Sequence, residues 1–275
     1  MKGRKRFGRK QHDKKIIILL ALIPFVGITV FYLFPIFYSI FVSLQKNRGG
    51  NTYWLLMKSE AFQLAMQNTL LTIIAMVPTL LVISMGLAFV AEAGLKQKSR
   101  WWSSTLVLHM IPFIIPSTII AFVVNSLFDS LWIQSDKVFW ILFVIYIWKN
   151  YGYCMLILLG GIRNIPQETL EAARVDGAGK ARILFRIMLP QMKTFISFCI
   201  VMEIVAVFKL FREGYLLCGD YPNIAVYFIQ NFINNSLYAM SFEKISAMAV
   251  VLIVVFSVII YALYHSELRG ESYEA

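Results

Sequence analysis

Charge is scarce in this sequence. Of its 275 residues only 15% are Asp, Glu, Lys or Arg, against ~25% in an ordinary soluble domain. Hydrophobic residues make up 59%, and the mean hydropathy is +0.69. In water such a chain would expose large apolar surfaces, so a single soluble globular domain is excluded. Acidic residues are the scarcer sign, 15 against 26 Lys and Arg. Cysteine is nearly absent. Cys154, Cys199 and Cys218 are scattered, so neither a disulfide framework nor a thiolate metal site follows. His12, His109 and His265 show no His-x-x-x-His spacing, so no zinc or other metal site is expected. Phosphate-cradling loops are missing too. The one Gly-Lys pair, Gly179-Lys180, is followed by Ala181, so this chain is not expected to hydrolyse nucleotide itself. Gly160-Gly161 ends an apolar run and opens no dinucleotide fingerprint. No enzyme activity and no cofactor of its own are expected.

What is present is six long apolar runs, which make the chain an all-α integral membrane protein. They cover residues 16–44, 62–91, 101–128, 138–162, 194–211 and 245–264. The first has 29 residues without a charge. At ~1.5 Å per residue it exceeds a ~30 Å hydrocarbon core. It is longer than a secretory apolar region and no small-x-small cleavage site follows, so it reads as an uncleaved span. Pro24, Pro35, Pro78, Pro112 and Pro116 lie inside these runs; membrane helices tolerate proline because neighbours satisfy the freed carbonyls. The loops are too short to hold a separate catalytic domain.

The net charge of +11 reads as orientation. Eighteen Lys and Arg lie in the first tail, the loops after the second and fourth runs and the last tail, against six in the other loops. The positive-inside rule therefore puts both ends in the cytoplasm, and six spans give the same parity. The tail 1–15 could also be a lipid-headgroup or nucleic-acid patch; the orientation reading is preferred, and no nucleic-acid partner is expected.

The loop 163–193 carries the most specific signal. Pro166 suits a first helical position, and Glu168 falls in the positive first turn. Gln167–Val175 then makes a short helix, stopped by Asp176-Gly177, where Gly177 is expected at positive φ. A second short helix over 180–188 ends at Pro190. Neither reaches the ~12–15 residues that hold helix alone, so both must dock on something. Ala172, Ala173, Gly177 and Ala178 are small enough to let a partner's backbone approach, and Arg174, Lys180, Arg182 and Arg186 surround them. An ordinary basic amphipathic loop on the membrane surface would share this composition.

The order of residues goes further. Glu171-Ala172-Ala173, two residues, Asp176-Gly177-Ala178, then Ile187-Met188-Leu189-Pro190 resemble the EAA loop of ABC importer permeases, and the Asp-Gly-Ala form is most like the carbohydrate-importer branch. Asn68-Thr69-Leu70, the stretch from Pro116 to Ala121, and Phe208-Lys209-Leu210-Phe211 are similar as well. The resemblance spans nearly the whole chain and is weakest before Glu60. The chain lacks the Gly-x-Val-Lys-Gly ending common in MalG-like partners and looks MalF-like. It departs from the family pattern at Ala181, Leu184 and Thr194, and reads Cys218-Gly-Asp-Tyr-Pro222 where the family often has Thr-x-Gly-Gly-Pro.

The resemblance implies a six-transmembrane-helix, type I ABC importer bundle with a cytoplasmic coupling helix. It divides the chain into a basic tail 1–15, a first transmembrane helix 16–44, a transmembrane domain 62–264 and a tail 265–275. It places the protein in the bacterial cytoplasmic membrane. The implied partners are a second, MalG-like permease, a cytoplasmic ATPase dimer that binds the ATP, an extracytoplasmic solute-binding protein, a sugar and membrane lipid. Glu171, Ala172, Ala173, Asp176, Gly177 and Ala178 would meet the ATPase, whose closure switches the bundle between inward- and outward-facing states.

Ionisable residues at membrane depth are costly and usually face a cavity. Tyr146, Lys149, Asn150 and Tyr153 share one helix face by their spacing, and Glu203 lies at a similar depth in the fifth run. Hydroxyl, amide and aromatic groups suit a hydroxylated solute. A Lys149–Glu203 ion pair that only fixes packing explains the charges equally well. A permease for a non-sugar solute such as an amino acid or polyamine, and a non-transporting scaffold, also remain open here.

Overall fold

The computed structural model describes residues 20–45, 51–96 and 100–271, with the side chains of 100–103 and 266–271 left aside. The basic tail 1–15 and the end of the chain beyond Glu271 lie outside the described residues. Among the described residues every regular element is helical. Five helices are long and apolar enough to cross a membrane, and one helix pair bent by 82° makes a sixth if its two arms count as a single broken span.

The elements that matter are α1 (Leu20–Leu44), α2 (Glu60–Lys96), α3 (Arg100–Leu108), α4 (Ser117–Leu127) and α5 (Val138–Asn164). They continue with α6 (Gln167–Val175), α7 (Lys193–Lys209), α8 (Phe211–Cys218) and α9 (Phe242–Glu271). Two compact units divide the chain: residues up to Met57 with Ser236–Val255, and Lys58–Asn235 with Phe256 onward.

In the smaller unit α1 is bare, with no residue of its most apolar stretch buried. Pro35 has no N–H to give, and the helix widens just before it into a π-turn over Thr29–Leu33, where the Phe34 N–H bonds to the Thr29 carbonyl. At its end Tyr53 Oη donates to Ser43 Oγ at 2.8 Å.

The larger unit is built on three helices, α2, α5 and α7, which pack against one another. The stripe Ala65, Thr69, Thr72, Met76, Leu80, Ser84, Ala88 and Ala91 of α2 is buried. Its spacing of three and four residues is one helix face. Pro78 sits off that stripe and does not interrupt the 37-residue helix. Small residues let backbones close in, as is usual between membrane helices. A Cβ on Gly152 would lie 1.8 Å from the His109 carbonyl oxygen, and one on Gly161 would lie 3.0 Å from the Phe195 ring. The helix runs through Gly160-Gly161, expected as its end, to Asn164.

The run expected over 101–128 is not one continuous helix. Its two arms, Ser104–Ile114 and Ser117–Leu127, meet at 82°. Ile115 and Pro116 are extended, with ψ 125° and 139°. A residue before proline is pushed out of the helical region, and here it falls between two prolines four residues apart. The fifth crossing also runs past the expected Phe211. A turn at Leu210 leads into α8, which stops at Gly219 with φ 76°.

Candidate functional site

A cavity of about 220 Å³ opens among α5, α7, α8 and the bent pair. Tyr146, Lys149, Asn150, Tyr153 and Glu203 all line it, so the face read from the spacing on α5 is one wall. Tyr146 and Glu203 are each 1% exposed. The Tyr146 hydroxyl lies 3.0 Å from Glu203 Oε2 and 3.1 Å from the Glu203 carbonyl, which joins α5 to α7. Asn150 Nδ2 donates to the Tyr146 carbonyl at 2.9 Å. The Phe113 and Tyr153 rings stack, centroids 5.4 Å apart and 15° between planes.

The Lys149–Glu203 pair that stood as one of two readings is not formed. Lys149 Nζ lies 2.7 Å from Glu213 Oε1 instead. The physical reason is the turn at Leu210, which lays α8 against α4 and brings Glu213 in beside Lys149. Glu203 meets Tyr146, one turn of α5 away. Ser117, the first residue of α4, donates to the same Glu213 oxygen at 2.7 Å. Lys149 also reaches Ser117 Oγ at 3.4 Å. Glu213, Ser117, Phe113, Lys209 and Arg212 therefore belong to this site; of these, sequence reasoning singled out only Lys209, as a charge toward the outer end of the fifth run, and did not assign it to the site. The available signal was a carboxylate, Glu213, set among apolar residues just past the fifth run.

The loop between α5 and α7 forms as read over Gln167–Val175. Pro166 is its N-cap with ψ 131°, one position outside the expected first helical residue. Asp176 is the C-cap and Gly177 takes φ 76°. The Ala178 N–H bonds to the Ala173 carbonyl at 2.9 Å and the Gly177 N–H to the Arg174 carbonyl at 3.0 Å. This is a Schellman stop, which needs the left-handed residue that glycine supplies without strain.

Not every small residue of this loop faces outward. Leu170 and Ala173 are buried within the chain, and Ala178 is half-buried. Glu171, Ala172, Arg174, Asp176 and Gly177 are exposed, as is Val175 at 88%. Ala173, read as a partner contact, packs into the chain's own core: the apolar side of a helix of about two and a half turns must be buried somewhere. The second short helix does not end at Pro190. Lys180–Ile183 widens into a π-turn over Leu184–Met188, and Leu189–Gln191 continues it. The Leu189 N–H bonds to the Leu184 carbonyl, so the widened turn accommodates a proline whose missing N–H would break a regular one. At the root of the loop, Arg163 Nε lies 2.7 Å from Glu92 Oε2.

Membrane-length helices around a charged, aromatic-walled cavity, with a short capped helix at one end, define the membrane subunit of a transporter. The model of the family "Binding-protein-dependent transport system inner membrane component" matches residues 68–266, and the chain belongs to that family. It is similar to the probable ABC transporter permease protein YurN of Bacillus subtilis, 28% identical with 89% of this chain and 93% of that protein covered. It is also similar to the sulfoquinovosyl glycerol transport system permease protein SmoG of Agrobacterium fabrum, 26% identical over 87% and 86%. A crystal structure of a bacterial ABC transporter that imports the acidic polysaccharide alginate shares the fold. Its TM-score is 0.70, with 20% identity, covering 96% of this chain and 99% of that one. The protein is an integral membrane permease subunit with the ABC importer fold.

Proposed function

We propose that this chain is the MalF-like permease of a bacterial importer that carries a sugar or oligosaccharide across the cytoplasmic membrane. It works beside a second, MalG-like permease and receives solute from an extracytoplasmic binding protein. ATP is bound and hydrolysed by a separate cytoplasmic ATPase dimer. The observation that carries the reading is the cavity: Asn150, Lys149, Ser117 and the stacked Phe113–Tyr153 pair bring hydrogen-bonding groups and ring faces together at membrane depth, as a hydroxylated solute requires. The solutes named for SmoG and for the alginate importer support the same class. Coupling falls to α6, whose exposed Glu171, Ala172, Arg174 and Asp176 meet the ATPase while Leu170 and Ala173 hold it to the bundle.

The test is the importer reconstituted with its partner chains. Sugar-loaded binding protein should stimulate ATP hydrolysis and uptake, and Asn150→Ala should alter uptake or solute preference in a complex that still assembles. Stimulation by amino acids or polyamines, and by no sugar, removes the sugar reading. Both ends are placed in the cytoplasm by the basic asymmetry. A cysteine at 51 or 223 should react with an impermeant reagent from outside and one at 98 or 179 should not; the reverse pattern inverts the topology.

A further inference from the structure

The cavity is unevenly charged. Three cations, Lys149, Lys209 and Arg212, and two carboxylates, Glu203 and Glu213, line it. Lys149 and Glu213 neutralise each other at 2.7 Å. Glu203 is buried against Tyr146 and stands six residues before Lys209 on α7, about 9 Å along the axis. Among the described residues neither Lys209 nor Arg212 has a carboxylate within ion-pair distance. Both are exposed.

Their place in this cavity makes them unusual. Lys149 is the twelfth residue of the 27-residue α5, about 17 Å from its nearer end. Lys209, the last residue of α7, and Arg212, in the first turn of α8, line the same cavity, and among the described residues neither has a counter-charge within ion-pair distance. Cations that line a cavity among membrane-length helices mark a pathway for a permeating charge.

We infer that the cavity passes sugars that carry negative charge, a carboxylate or a sulfonate, and that Lys209 and Arg212 meet that charge. The ring pair and Asn150 then hold the neutral face of the same sugar. This inference rests on the sugar reading above and narrows it.

The experiment uses the complete importer in proteoliposomes and pairs of sugars that differ in acidic groups: galactobiose with digalacturonate, which adds two carboxylates, and glucosylglycerol with sulfoquinovosyl glycerol, which adds one sulfonate. Binding protein is kept saturated, so that uptake per ATP reports the pathway and not capture. The acidic member of a pair should be carried in preference. Lys209→Gln with Arg212→Gln should lower its uptake per ATP about tenfold, a loss of one charge contact. The charge-retaining pair Lys209→Arg with Arg212→Lys should keep it, which separates charge from assembly, and raised ionic strength should weaken it in the unaltered importer. Preferred uptake of the neutral members overturns the inference and leaves the sugar reading standing. Uptake of polyamine or amino acid, and of no sugar, removes both. Acid uptake indifferent to the double neutralisation overturns the role of the two cations.

Discussion

Two ion pairs in this molecule have the same length. Lys149–Glu213 in the cavity and Arg163–Glu92 at the root of the α5–α7 loop both close at 2.7 Å. Their surroundings differ. The first pair is 16% and 5% exposed, the second 51% and 12%. Distance alone therefore says little about worth. A buried pair holds each charge hostage to the other, because removing one leaves the second in a poorly polarisable setting at about 3–5 kcal/mol. An exposed pair returns its partner to water for ~0–1 kcal/mol. The same two regions repeat the contrast with glycine. Gly152 is required by space, since a side chain would enter the His109 backbone. Gly177 has nothing within 4 Å of a built Cβ and is required by its φ of 76°.

The sharpest way to break the comparison is Lys149→Met. It should destabilise the purified complex by about 3–5 kcal/mol, with Glu213→Gln close behind and the double variant recovering most of the loss. Thermal unfolding in detergent reads this; additive losses would place the two charges in separate roles. Next is Gly152→Ala. The bent pair must shift off α5, and a cost of about 1–3 kcal/mol is expected, visible as lower melting temperature and as loosened His109–Tyr151 contact, now 3.0 Å. Gly177→Ala follows, at roughly 1–2 kcal/mol of local backbone strain. Global unfolding should barely move, while hydrogen exchange in α6 rises and uptake falls. Gly177→Asn should be milder than Gly177→Ala, since asparagine tolerates the left-handed region; the opposite order would show that space and not φ governs the site. Smallest is Arg163→Gln, expected below about 1 kcal/mol and further reduced by salt.

The sequence was most legible where one local rule decided the outcome. Gln167–Val175 and the stop at Gly177 follow from helix punctuation within a dozen residues. The wall made by Tyr146, Lys149, Asn150 and Tyr153 follows from helix spacing alone. The membrane-length runs follow from apolar composition. What stayed hidden depends on how separate segments meet. Lys149 has two carboxylates at similar depth, and only the turn at Leu210 decides for Glu213. Pro112 and Pro116 announce some disturbance, but whether it is a kink or an 82° bend depends on α5 receiving the first arm at Gly152. Pro190 reads as a stop, whereas the π-turn over Leu184–Met188 carries the helix through it. Ala173 looks like its neighbours in composition and differs only in which way α6 leans.

The length of α2 has a mechanical side. Its 37 residues make a rod about 55 Å long in a slab of hydrocarbon about 30 Å thick. A rod pivoting near its middle moves at each tip by about 1 Å for every 2° of tilt. Glu92 rides near one tip, and its bond to Arg163 ties that tip to the chain four residues before α6 begins. A rotation of a few degrees about the middle of α2 is thus enlarged to ångströms at the tip that carries Glu92, beside the stretch of chain that leads into α6.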